Sequence, residues 1–111
     1  MRYAVERKHA RYSLDVRAKL IVDGQEFTVR TLDISEGGMG VISPVEIPEG
    51  KSFVVEFAFS AVPGVFRAEL QAKNRNGFRY GFQFVILDES NTALLRKYER
   101  RWGILARRIT E

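Results

Sequence analysis

A hairpin pattern extends over residues 66–84, which read Phe-Arg-Ala-Glu-Leu-Gln-Ala-Lys-Asn-Arg-Asn-Gly-Phe-Arg-Tyr-Gly-Phe-Gln-Phe. Apolar and polar residues alternate at positions 66–73, and aromatic residues occupy every second position from 78 to 84. This period of two is typical of half-buried strands. Because Asn76-Gly77 tolerates the positive φ angles of a tight turn, the stretch predicts two antiparallel strands joined as a hairpin.

The same alternation predicts four further strands. It runs from Tyr12 to Val22, and Asp23-Gly24 then supplies a turn into a second strand from Glu26 to Leu32. A short third strand is expected from Met39 to Ile42, and a strongly apolar fourth strand from Phe53 to Phe59. Six strands with short turns predict a closed antiparallel β-barrel, which leaves no exposed sheet edge.

The period changes after Asp88-Glu89-Ser90, where apolar residues begin to recur at helical spacing. These residues are Leu94, Leu95, Tyr98, Trp102, Leu105 and Ile109. We expect an amphipathic helix over residues 90–109, with Ser90 as its N-cap. The predicted fold is therefore mainly β, a six-stranded antiparallel β-barrel with a C-terminal α-helix. We expect a single domain over residues 1–111, in which residues 1–12 form a flexible arginine arm and residues 13–86 form the barrel.

The amino-acid composition excludes several classes of function. The chain has 111 residues, no cysteine and one histidine, which excludes disulfides and argues against a metal site, a cysteine nucleophile and an enzyme. Its net charge of +4 favours anionic partners. No apolar run approaches the roughly 18 residues that span a bilayer, so we expect no membrane insertion and a cytoplasmic location.

Two short motifs carry candidate chemistry. The segment Arg7-Lys8-His9-Ala10-Arg11 is R-x-x-x-R, and the segment Asp33-Ile34-Ser35-Glu36-Gly37-Gly38 is D-x-S-x-x-G. The planar donor fork of arginine suits a phosphate or the O6 and N7 edge of guanine. A carboxylate suits the N1 and N2 donors of guanine, and glycine lets the backbone approach a ligand. The predicted ligand-binding residues are Arg7, Lys8, His9, Arg11, Asp33, Ser35, Gly37 and Gly38.

The order of these features resembles the PilZ family of bacterial cyclic di-GMP receptors. R-x-x-x-R precedes the first strand, D-x-S-x-x-G follows the second, Tyr80-Gly81-Phe82-Gln83-Phe84 lies in the last strand, and a helix ends the chain. The resemblance implies the barrel and helix described above, and cyclic di-GMP as a ligand without a further cofactor. It implies that Arg7 and Arg11 grip guanine and phosphate, while Asp33, Ser35 and Gly38 hold the other part of the ligand.

The arm suggests how binding produces a signal. Because the arm concentrates positive charge, we expect it to be mobile without ligand and to fold over the barrel with ligand. The output would be contact with a downstream protein partner, which the sequence does not identify. Glu6 stands where related sequences often carry another arginine, so we expect one cyclic di-GMP per domain.

Two alternatives stay open. One is a small basic β-barrel that binds RNA or single-stranded nucleic acid, and the other is a ligand-independent protein-interaction module that uses the basic helix face. Nucleic acid is the weaker alternative because the aromatic residues fall on strand faces that read as core. These residues are Phe53, Phe57, Phe59, Phe82 and Phe84. Arg75 and Arg79 near the hairpin could stack on guanine, but we favour solvated strand residues.

Overall fold

The computed structural model describes residues 11–59 and 62–106, with residues 102–106 described by their backbone alone. This part of the chain forms seven strand segments and one helix. They are β1 (Tyr12–Ser13), β2 (Arg17–Val22), β3 (Gln25–Ile34), β4 (Gly38–Ile42), β5 (Ser52–Phe57), β6 (Phe66–Asn76), β7 (Arg79–Ile86) and α1 (Glu89–Ala106). All pairings between these strands are antiparallel.

Six of the strands close into a barrel. Their order is β3-β2-β5-β6-β7-β4, and β4 pairs again with β3 to complete the ring. Closure pairs the backbone groups that would otherwise line two sheet edges. The predicted six-stranded antiparallel β-barrel with a C-terminal helix is confirmed.

The aromatic residues that the alternation assigned to the core do fill the interior. Phe53, Phe57, Phe59 and Phe82 are buried, and Phe84 is half-buried against the same cluster. Phe57 stacks on Phe66 with ring centroids 5.1 Å apart. Because these rings face inward, they are not available as an external platform for bases.

The predicted first strand is divided into β1 and β2. Tyr12 pairs with Ile34 on β3, whereas Arg17 pairs with Arg30, so the register shifts by one residue between the two pairs. The extra residue interrupts the ladder as a β-bulge does. Tyr12 is buried in the core, so it belongs to the barrel wall and not to the predicted arm of residues 1–12.

The hydroxyl of Thr31 on β3 fills the interruption. Thr31 is buried, and its Oγ1 accepts a hydrogen bond of 2.9 Å from the backbone amide of Val16. The same hydroxyl donates to the carbonyl oxygen of Leu14 at 3.2 Å and to that of Val16 at 2.9 Å. Thr31 thereby holds the segment between β1 and β2 against β3.

Both predicted hairpins form, but one turn differs from the prediction. Asp23 and Gly24 have positive φ angles of 52° and 80° and connect β2 to β3 as expected. In the second hairpin Asn76 is still the last residue of β6 and pairs with Arg79. The two central residues of the turn are therefore Gly77 and Phe78 instead of Asn76 and Gly77. Gly77, with a φ of 65°, takes the first central position.

The helix begins at Glu89, and its N-cap is Asp88, so the prediction of Ser90 as N-cap is wrong. The Asp88 carboxylate accepts a 2.9 Å hydrogen bond from the backbone amide of Asn91, the third residue of the helix. The predicted helix end at residue 109 lies outside the described residues. The Asn91 amide also accepts a hydrogen bond from the Arg67 backbone amide at 2.8 Å and donates one to its carbonyl, which fastens α1 to β6.

Tyr98 fastens the middle of α1 to the barrel. Its ring stacks on Phe59 with centroids 4.7 Å apart, and its hydroxyl donates a hydrogen bond to the carbonyl of Ser13 in β1. Burial raises the pKa of the Tyr98 phenol above its ordinary value. The hydroxyl therefore keeps the proton that it donates at neutral pH. No helix in the part of the chain that the structure describes is long and apolar enough to cross a bilayer.

Replacing Thr31 with valine should destabilise the fold by about 2 kcal/mol, because the Val16 amide would lose its acceptor in a partly buried position. Urea unfolding followed by circular dichroism measures the change. The control is Thr28→Val, which alters an exposed threonine on the same strand. Equal losses in the two variants would contradict the role given to the Thr31 hydroxyl.

Candidate functional site

The structure brings residues of both motifs into one cleft on the barrel. Arg11 of R-x-x-x-R and Asp33 of D-x-S-x-x-G line a cleft of about 220 Å³. The remaining lining residues come mostly from the β6–β7 hairpin. They are Leu32, Gly40, Asn74, Asn76, Arg79, Tyr80 and Gly81.

Asp33 sits where the pairing of β3 with β4 shifts register. Thr31 pairs with Val41, but Asp33 pairs with Gly40, so Leu32 is an extra residue on β3. The Asp33 Oδ1 accepts a hydrogen bond of 3.1 Å from the Gly40 amide. A β-carbon added at Gly40 would lie 3.1 Å from that same oxygen. The bulge and the glycine together hold the carboxylate close to the β4 backbone, with one oxygen engaged.

Arg11 and Asp33 form a loose ion pair, with Nη2 and Oδ1 3.9 Å apart. The Arg11 side chain is 40% exposed and the Asp33 side chain is 20% exposed. A pair of this length and exposure contributes little to stability. Each group therefore stays available for a ligand at small cost to the fold.

The cleft carries a net positive charge. Among the described lining residues, Arg11 and Arg79 supply two guanidinium groups and Asp33 supplies the only carboxylate. Asn74 and Asn76 add side-chain amides, which both donate and accept hydrogen bonds. Such a set suits a ligand that carries phosphate together with a base that has donor and acceptor edges.

Ser35 is occupied in the turn between β3 and β4. Its side-chain oxygen accepts a 3.1 Å hydrogen bond from the Gly37 amide, and its backbone amide donates to the Gly38 carbonyl at 2.8 Å. Ser35 is also buried. Ser35, Gly37 and Gly38 are thus not in the lining of the cleft, and their contacts shape the turn beside it.

The close approach of β4 and β7 requires glycine at position 38. A β-carbon at this position would lie 2.0 Å from the backbone carbonyl oxygen of Phe82 on β7. Gly38 pairs with Gln83 in the ladder that joins β4 to β7. The space that glycine leaves here admits the neighbouring strand.

Arg7, Lys8 and His9, also predicted to bind ligand, lie outside the described residues. Their place in the site stays a prediction. Strand β1 begins at Tyr12 and pairs with β3 up to Ile34. The arm therefore enters the described structure at the cleft, through Arg11.

Sequence reasoning did not assign the hairpin residues Asn74, Asn76 and Arg79 to the site. The sequence pattern predicts the hairpin. It does not predict the barrel curvature that brings the tip of this hairpin beside β3 and β4. Arg79, which we favoured as a solvated strand residue, is exposed and lines the cleft. Arg75 is held elsewhere, because its guanidinium donates to the Glu46 carboxylate at 2.7 Å and to the Gly77 carbonyl at 2.8 Å.

A larger cavity of about 600 Å³ shares Asn74 and Tyr80 with this cleft as lining residues. Glu46 and Glu49 line it, and Arg75 is paired with Glu46. Two carboxylates against one engaged guanidinium disfavour a phosphate-bearing ligand. Charge therefore favours the smaller cleft as the site for an anion.

Comparisons with known proteins agree with this fold. A family model described as PilZ domain matches residues 6–100. No curated protein matches the chain. YcgR from Escherichia coli in complex with c-di-GMP (cyclic di-GMP) is 26% identical, with a TM-score of 0.63 over 90% of this chain and 46% of that chain.

Two further solved structures share the fold. The PilZ domain of YcgR with c-di-GMP is 22% identical, with a TM-score of 0.59 over 88% of this chain and 98% of that chain. The PilZ domain of CeSA from a cellulose-synthesizing bacterium is 16% identical, with a TM-score of 0.62 over 79% of this chain and 93% of that chain.

Replacing Gly38 with alanine should destabilise the protein by about 3 kcal/mol, because the new methyl group meets the Phe82 backbone. Thermal and urea unfolding measure the loss. The matched control is Gly81→Ala in the same β4–β7 ladder, where the three atoms nearest to the new methyl group belong to the Asn74 side chain, which can rotate away. A Gly38→Ala protein as stable as this control would contradict the structural role of Gly38.

Proposed function

Because the chain belongs to the PilZ domain family, we propose that it is a receptor for cyclic di-GMP. PilZ domains are binding proteins and not enzymes. The observation that supports the proposal is the shared cleft, in which Arg11 of the first motif lies 3.9 Å from Asp33 of the second. The two motifs are about twenty residues apart in sequence, and the β1–β3 pairing brings them together.

The chemistry of the cleft matches the two parts of such a ligand. The guanidinium groups of Arg11 and Arg79 suit a phosphate or the O6 and N7 edge of guanine. The Asp33 carboxylate suits the N1 and N2 donors of guanine. Among the described residues, its Oδ2 accepts no hydrogen bond, so that oxygen is ready for a ligand donor.

Ligand displaces a weak internal contact in this scheme. The Arg11–Asp33 pair is long and partly exposed, so separating the two groups costs little. Each would then form a charge-assisted hydrogen bond with the ligand, which is stronger than a neutral one. The cleft thus exchanges a poor ion pair for two good contacts.

The described cleft accommodates part of a cyclic dinucleotide. Its volume of about 220 Å³ is below the range of about 300 to 1,000 Å³ usual for small-molecule sites. We assign the remaining contacts to Arg7, Lys8 and His9 of the arm. Ser35, Gly37 and Gly38 take part through the shape of the turn beside the cleft.

Binding is proposed to order the arm and to signal through protein contacts. The arm carries the cations Arg2, Arg7 and Lys8 against one carboxylate, Glu6, and phosphates would neutralise that excess of positive charge. The ordered arm would present a new surface to a downstream protein. With Glu6 before the first motif, we propose one ligand per domain, and a cytoplasmic location stays a prediction.

Arg11→Ala and Asp33→Asn should each weaken cyclic di-GMP binding by about tenfold to a hundredfold, the effect of losing one hydrogen bond to a charged group. Arg79→Ala should weaken it by a similar factor. Isothermal titration with cyclic di-GMP measures these changes, with cyclic di-AMP and GTP as competing ligands. Arg75→Ala is the matched control, because Arg75 faces the other cavity and pairs with Glu46.

Retention of wild-type affinity in both Arg11→Ala and Asp33→Asn would overturn the receptor site. A ligand preference for single-stranded RNA, with affinity that falls steeply as salt rises, would favour the nucleic-acid alternative instead. Two bound ligands per chain would contradict the proposed stoichiometry.

Ligand should also change the dynamics of the arm. Backbone NMR relaxation of residues 2–11 should show fast, large-amplitude motion without ligand and restricted motion with saturating cyclic di-GMP. The backbone of β6, which is paired on both sides, serves as the internal reference. Equal rigidity of the arm in both states would contradict ordering on binding, even if the ligand binds.

A further inference from the structure

The C-terminal helix contacts the chain close to Asp33 and close to Arg11. Arg96 on α1 lies 3.5 Å from the carboxylate of Glu36, which is the residue between Ser35 and Gly37 in the second motif. Two residues further along the helix, Tyr98 donates its hydrogen bond to the Ser13 carbonyl, two residues after Arg11. Both contacts therefore fall within the same turn of α1.

That turn of the helix also borders a groove of about 460 Å³. The apolar part of the groove is formed by Leu87, which is half-buried, and Ala93. Its cations are Arg96, Lys97 and Arg100, all exposed, and its one carboxylate belongs to Glu89. The groove combines a small apolar floor with a net positive rim.

The cations have a regular spacing. Arg96 and Arg100 are one helical turn apart and so lie on the same face, about 6 Å from each other along the axis. Side chains at alternate positions of an extended peptide are about 7 Å apart and also share one side. Carboxylates at every second position of an extended segment would therefore meet these cations in register.

We propose that this groove is the docking site for an acidic segment of a partner protein, with glutamate or aspartate on the cations and a small apolar side chain over Leu87 and Ala93. The partner's carboxylate competes with Glu36 for Arg96. Docking is thereby coupled to the turn that carries the second motif. Only this coupling rests on the proposed receptor function, since the charge and shape of the groove do not depend on the ligand.

A synthetic peptide of glutamate and leucine residues separated by glycine is the probe, and its counterpart with glutamine in place of glutamate is the control peptide. Fluorescence anisotropy with the full chain should show saturable binding of the acidic peptide alone. Lys97→Glu/Arg100→Glu should weaken it by about tenfold or more. The matched variant Arg17→Glu/Lys73→Glu, which changes the same charge at exposed strand positions, should bind nearly as wild type.

Equal weakening by the two charge-reversed variants would overturn the groove, because it would show attraction to net charge alone. Tighter binding to phosphatidylserine vesicles or to polyuridine than to the acidic peptide would also overturn it, in favour of a lipid or nucleic-acid partner. Glu36→Gln should strengthen peptide binding severalfold by releasing Arg96, and an unchanged affinity would overturn the competition.

Titration with cyclic di-GMP separates this proposal from the receptor function. Saturating ligand should change the peptide affinity, and the peptide should change the ligand affinity by the same factor. Peptide binding at the groove in a chain that does not bind cyclic di-GMP would refute the receptor and retain the docking site. Binding of cyclic di-GMP without binding of the peptide would retain the receptor function and refute the docking site.

Discussion

The pairing of β4 with both β3 and β7 is the constraint on which the rest of the structure depends. It completes the ring of six strands, and it is permitted because Gly38 lets the β7 backbone come closer than any side chain would allow. At the other side of β4, Gly40 lies against the Asp33 carboxylate. The same short strand therefore closes the barrel and positions the acidic group of the candidate site.

This arrangement gives the glycine-containing motif two functions in one turn. Ser35 and the glycines are committed to backbone contacts, and Asp33 projects into the cleft with one oxygen hydrogen-bonded to Gly40. The residues of this motif therefore differ in their structural roles. Ser35 and the glycines fix the backbone of the turn, and Asp33 lines the cleft.

The cavities on the barrel differ in their charge. The cleft with Arg11 and Arg79 is net positive, whereas the larger cavity next to it holds Glu46 and Glu49. Helix α1 adds a second positive region and is joined to the barrel by Asn91 and Tyr98. The helix is therefore not an independent appendage, because its contacts extend to β6 and to β1.

The sequence by itself determined the six strands, the aromatic core and the helix, because alternation and helical spacing report burial directly. It also predicted Arg11 and Asp33 as ligand-binding residues from their chemistry, and the structure places both in one cleft. Tertiary structure alone decided that Asn74, Asn76 and Arg79 join them, that Thr31 secures a divided first strand, and that Asp88 and not Ser90 caps the helix. These features depend on strand register, bulges and barrel curvature, which arise from pairing between distant segments and leave no local periodic signal.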